Sequence, residues 1–248
     1  MTANKIAATQ LKYQPAQKNI FMDLRAPGLL AKWPIIGLIM FIFGSLVFAG
    51  LTYNLLAQGP LLAWDRVIAN TLPAIALKGP GYLKGLMDAG YIIGDQAIMV
   101  LGGLIALYLL FKRYWKALAM LAFGQIGSSS LFLLLSGYFA RPRPPTQIWI
   151  VLNIPGFPSG HAIAVVVFYG LLAYLLVPLI PSVFWKWVVI AMALLIIGFV
   201  GFSRVFTGGH YLTDVLSGYA VGIAWSGLVY TLIELISQKR RIHNVKKI

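Results

Sequence analysis

The chain has 248 residues, 60% of them hydrophobic and only 10% charged, with no cysteine and a formal charge of +14. That balance excludes a water-exposed soluble domain, a disulfide framework and a thiolate metal site. The surplus cations lie between apolar runs, not among exposed aromatics, so they exclude nucleic acid as a partner and read as topology signals.

Residues 1–32 form a polar, basic segment expected in the cytoplasm. The apolar stretch after it is too long for the core of a signal peptide, so no cleavable leader is expected. A bilayer needs about 20 apolar residues in a helix, and the spacing of charges then predicts six spans. The first lies between Lys32 and Asp65, the second over Ala89–Phe111, and the third between Lys116 and Arg141. The others run over Ala162–Trp185, Trp187–Ser203 and Val215–Ile233. Residues 66–88 carry a short apolar run broken at Lys78-Gly79-Pro80-Gly81, read as an interfacial helix and a turn. The expected fold is an all-α polytopic membrane bundle of six transmembrane helices with that short helix. It occupies 33–236 as one domain and is followed by a basic cytoplasmic tail, 237–248. With both termini inside, the outer side keeps only Arg66, Lys78, Lys84, Arg141, Arg143 and Arg204 of the 20 Lys and Arg. Trp33, Tyr53, Tyr91, Tyr114, Trp115, Trp185 and Trp187 fall near predicted span ends, where amphipathic rings prefer the headgroup layer. Gly218 and Gly222 predict a close helix contact in the sixth span.

Three polar clusters fall at outer span ends: Arg141-Pro142-Arg143-Pro144, Pro158-Ser159-Gly160-His161, and Ser203-Arg204 through His210 to Asp214. Each alone fits an ordinary interfacial anchor or helix start. Together they place three permanent cations around two histidines, which describes an oxyanion site. Guanidinium groups match phosphate oxygens bidentately, and a helix starting near Ser159 aims unpaired amides at the same anion. If the sixth helix begins by His210, Asp214 lies one turn along the same face and can orient the ring. The other ring nitrogen is then a nucleophile. His161 is a candidate proton carrier for a departing alkoxide. Asp65 reads as a cap of the interfacial helix, Asp95 as a cap or a partner for an outer arginine, and His243 as a residue of the basic tail.

Arg143-Pro144, Pro158-Ser159-Gly160-His161 and Ser203-Arg204-x5-His210-x3-Asp214, in this order, resemble the type 2 phosphatidic-acid phosphatase family. The resemblance implies a membrane lipid phosphatase in which His210 forms a phosphohistidine, Asp214 orients it and His161 protonates the leaving group. It assigns the phosphate to Arg143, Arg204, Ser159 and Gly160. It also implies hydrolysis without metal or other cofactor, which agrees with the lack of a carboxylate cluster in the sequence. Undecaprenyl pyrophosphate, phosphatidylglycerophosphate, phosphatidate and lipid A phosphates all remain open as substrates, and the expected site is the outer face of a bacterial inner membrane. A phosphotransferase using the same histidine, or a non-catalytic lipid-binding member, are the alternatives. One position departs from the family: Ser136 stands where a lysine is usual, and Arg141 is the expected substitute as a phosphate ligand.

Overall fold

Prolines, glycines and charges set the helix boundaries of the computed structural model, which describes residues 28–145 and 154–245. A single turn, α1 (Leu29–Lys32), leads through Trp33 into α2 (Pro34–Leu56), with proline at a first-turn position whose amide needs no partner. Then come α3 (Leu61–Lys78), α4 (Gly81–Gly94), α5 (Gln96–Phe111), α6 (Trp115–Phe139), α7 (Gly160–Leu176), α8 (Val183–Phe206) and α9 (Leu212–Val245). Among the described residues, six helical segments are long and apolar enough to cross a membrane: 34–56, 81–111, 115–139, 160–179, 183–206 and 212–240. The protein is an integral membrane protein with an all-α fold.

Several boundaries differ from expectation, and the sixth span runs to Arg240, past the expected Ile233. The second span begins at Gly81, not Ala89, and breaks at Asp95 into α4 and α5. The fourth span ends at Leu179, with Pro178 and Pro181 terminating it, so Trp185 and Lys186 belong to the first turns of α8. Proline forces this because it removes a helical donor and clashes with the preceding turn, whereas a lysine near a span end tolerates either side. The helix expected at the interface is α3, whose length and modest hydropathy set it apart from the six spans.

Between helices in lipid there is little hydrophobic driving force, so close packing of small residues decides which faces meet. The long helix α9 is the spine of the bundle. A β-carbon on Gly218 would lie 2.6 Å from the Ser159 carbonyl oxygen, and one on Gly222 would lie 2.8 Å from Val166, so α9 lies directly on α7 as expected. Its opposite side meets α2, where Gly37 and Gly227 face each other's backbone and Gly44 rests on Ala220. The outer surface is the inverse. Leu38, Phe43, Phe111 and Leu195 are more than half exposed, an apolar girdle that only acyl chains would cover.

Candidate active site

The three sequence clusters converge at one end of the bundle. Ser159 caps α7, its hydroxyl accepting the Ala162 amide at 3.5 Å and its own amide donating to the Asp214 carbonyl at 2.9 Å. Gly160 opens the helix against the Phe132 ring, and His161 follows it. The last turn of α8 carries Ser203 and Arg204. Gly208, at φ 71°, then turns the chain so that the Gly209 and His210 amides both donate to the Arg204 carbonyl. Only glycine enters that backbone region without strain.

Helix α9 starts at Leu212, so His210 precedes it and does not share a helical face with Asp214. The Asp214 carboxylate instead reaches back, Oδ2 accepting the Tyr211 amide at 2.9 Å and standing 3.6 Å from His210 Nδ1. The closer partner of Nδ1 is the carbonyl of Gly156, at 2.9 Å. That carbonyl accepts, so Nδ1 holds the proton. On the other side of the ring Arg143 Nη1 lies 2.9 Å from Nε2 and can only donate, so Nε2 presents its lone pair. Both contacts select the same tautomer. His210 is 1% exposed. Burial pushes its pKa below the ordinary imidazole value, and the Arg143 charge acts in the same direction, while Asp214 and the Gly156 carbonyl oppose them.

Arg143 is held by two backbone carbonyls, Nε donating to Ile154 and Nη1 to Gly209, each at 2.8 Å. Burial lowers its pKa from the ordinary guanidinium value, and Asp214 opposes that. Arg204 bonds Ser203 Oγ through Nε and Nη2 at 3.3 Å and lies 4.8 Å over the Tyr91 ring. Tyr91 also meets the His161 ring, 5.6 Å between centroids. Tyr91 thus packs between Arg204 and His161. His161 and Arg143 line a cavity of about 250 Å³ with Gly160, Asp95, Ser128 and Phe132. Asp95 separates α4 from α5 without a side-chain capping bond, and its charge acts on Arg204, the second of the two expected roles.

Arg141 lies elsewhere. Its Nη1 bonds Asp214 Oδ1 at 2.5 Å and Thr213 Oγ1 at 2.8 Å, its Nη2 bonds Asp65 Oδ2 at 2.8 Å, and its charge stacks 4.2 Å over Tyr211. A guanidinium committed to two carboxylates is a poor phosphate ligand, which corrects the expectation that it replaces the missing lysine. Ser136 itself is buried and turns its hydroxyl to the Leu133 carbonyl. Asp65 sits inside α3 and does not cap it. Gly156 was missed because a backbone carbonyl has no sequence signature. A β-carbon there would lie 3.1 Å from Asp214 Oδ2 and 3.3 Å from Arg143 Cγ. By sequence, the loop 146–157 and the segment 66–87 border the site and are expected to shape substrate choice; residues 146–153 of that loop fall outside the described residues.

A family model described as PAP2 superfamily matches residues 113–237. Phosphatidylglycerophosphatase B of Bacillus subtilis is 33% identical over 133 residues, 53% of this chain and 64% of that protein. Lipid phosphate phosphatase delta of Arabidopsis thaliana is 37% identical over 81 residues, 32% of this chain and 20% of that protein. The crystal structure of a transmembrane PAP2-type phosphatidylglycerolphosphate phosphatase from Bacillus subtilis superimposes with a TM-score of 0.65 at 26% identity. That match covers 82% of this chain and 96% of that one.

Proposed function

The chain belongs to the PAP2 superfamily, and from that premise we propose that it is a lipid phosphate phosphatase working through a phosphohistidine on His210. The observation that carries the reading is the single tautomer imposed on His210, with Nδ1 facing the Gly156 carbonyl and Nε2 facing Arg143. A substrate phosphate entering beside Arg143 and Arg204 takes over the guanidinium donors and leaves the Nε2 lone pair facing phosphorus. Ser159 and the first amides of α7, at Gly160 and His161, supply further donors to the same anion.

The Nε2 pair then forms the P–N bond, the P–O bond to the lipid breaks with its electrons on oxygen, and His161 delivers a proton to that oxygen. Water attacks the phosphohistidine in the second step, its proton passing to His161 as the P–N bond breaks, which regenerates both histidines. Asp214 offsets the positive charge the imidazole carries while phosphorylated. The substrate class is a phosphomonoester or diphosphate on a membrane lipid, approached from the outer leaflet with both termini cytoplasmic. Phosphatidylglycerophosphate is the first candidate, because the Bacillus subtilis relative and the solved structure it resembles both carry the name of a phosphatase of that lipid.

Phosphate release by the purified protein in mixed micelles tests this, with phosphatidylglycerophosphate, phosphatidate and undecaprenyl diphosphate compared, each with and without a chelator. Release from at least one lipid, unaffected by chelation and absent from His210→Ala, is expected. Equal release by the variant would remove His210 as nucleophile, and loss of activity on chelation would overturn the metal-independent mechanism.

A further inference from the structure

Asp65 is 1% exposed, and the interfacial helix α3 holds it against the start of α9, 148 residues away in sequence. Its Oδ1 accepts the Thr213 amide at 3.0 Å, its Oδ2 accepts the Thr213 hydroxyl, and Oδ2 also meets Arg141 Nη2 at 2.8 Å. Arg141 in turn holds Asp214 Oδ1, which leaves Oδ2 for the Tyr211 amide and for the His210 ring. The two oxygens of Asp214 are thus divided, one toward a cation and one toward the nucleophile.

We propose that Asp65 is a positioning residue for the phosphohistidine chemistry, acting on His210 through Arg141, Thr213 and Asp214. The charge count gives the reason. Arg141 alone would neutralise Asp214, leaving no net charge behind the imidazole. With Asp65 added, the buried group of Asp65, Arg141 and Asp214 carries one net negative charge against the ring that becomes positive. At the low effective dielectric of a buried site such a charge acts over several ångströms. Asp65 also bonds both the amide and the hydroxyl of Thr213, the residue before Asp214, so it fixes the direction from which Asp214 approaches.

The inference rests on His210 being the nucleophile, and the test separates the two. Steady-state phosphate release from phosphatidylglycerophosphate is measured for wild type, His210→Ala, Asp65→Asn and Thr213→Val, with pH profiles and melting temperatures. Asp65→Asn keeps the shape and removes the charge. Its kcat is expected to fall about tenfold to a hundredfold with KM within about twofold, since Asp65 does not touch the phosphate. The acid limb of its kcat/KM is expected to move to lower pH, because losing a negative charge disfavours the protonated ring. The groups facing His210 that set this limb are Asp214, Arg143 from the loop before α7, His161 from α7 and Arg204 from α8, with Arg141 and Asp65 behind Asp214.

A purely structural Asp65 would lower the melting temperature and leave the limb in place, which overturns the inference, as does an unchanged kcat. Thr213→Val keeps every charge, so it serves where Asp65→Asn does not fold. Its kcat is expected to fall severalfold without movement of the limb, and an unchanged kcat counts against the proposal. A wild type inactive on every lipid phosphate, or a fully active His210→Ala, sinks the nucleophile reading and this inference with it.

Discussion

Helix α9 carries two buried carboxylates, Asp214 in its first turn and Glu234 toward the far end of its membrane-spanning part, both about 1% exposed or less. At 1.5 Å per residue they stand about 30 Å apart, the thickness of a bilayer core. Around Glu234 every contact is closed. Tyr174 donates to Oε1 at 2.9 Å, Lys116 pairs with it at 3.2 Å, and the Gly28 amide donates to Oε2 at 3.0 Å. That cluster fastens α1, α6 and α7 to α9. Around Asp214 the same ingredients are present, but a histidine is added whose second nitrogen is turned to Arg143, and Arg143 lines a cavity with His161. A buried ion pair is therefore a fastening by default, and it becomes a site only where donor capacity is left over.

The sharpest way to break this comparison is to remove the leftover group. His210→Ala is expected to lower kcat by at least about 10⁴-fold, since among the described residues no other nucleophile stands at that point, and labelling quenched in alkaline denaturant, which preserves the acid-labile P–N bond, should trap a phosphoenzyme from wild type and none from the variant. His161→Ala should cost about 10²- to 10⁴-fold on a lipid phosphate. On p-nitrophenyl phosphate, whose leaving group departs without a proton, the same variant should lose less than about tenfold. Equal losses on both substrates would deny His161 the acid role. Arg143→Ala should cost about 10²- to 10³-fold, with part of the loss in KM. It also removes a donor that holds His210 in the tautomer with its proton on Nδ1.

A smaller effect sharpens the electrostatics. Burial and Arg143 both disfavour protonated His210, so the neutral nucleophile persists below the ordinary imidazole value. The acid limb of kcat/KM should accordingly lie under about 6.5, and a limb above that value would mean that Asp214 outweighs them. The smallest effect on turnover belongs to the other end of α9. Glu234→Gln should destabilise the fold by about 1–3 kcal/mol, seen as a lower melting temperature, with kcat per folded molecule unchanged.

Much of this was legible in the sequence, for physical reasons that can be named. Span count follows from the spacing of charges, because a charge inside a bilayer is costly. Charge was a poorer guide where proline ended a helix, as at Pro178 and Pro181. His161, His210, Arg143 and Arg204 could be found because each lies in a contiguous polar block at the end of an apolar span. Gly156, Tyr91 and Asp65 could not, since one acts through a carbonyl and the others through partners on distant helices. Arg141 was misread for a related reason. A cation two residues from Arg143 can face the phosphate or the far side of Asp214, and only the position of α3 decides.

The glycine faces of α9 carry a consequence for how the protein is made. Synthesis delivers Arg143, His161 and Arg204 before His210, the proposed nucleophile, and the last span packs between α2 and α7. Until it docks, Asp65 and Arg141 have no Thr213 or Asp214 to hold. On the proposed mechanism the site is complete only once the last span has packed against α2 and α7.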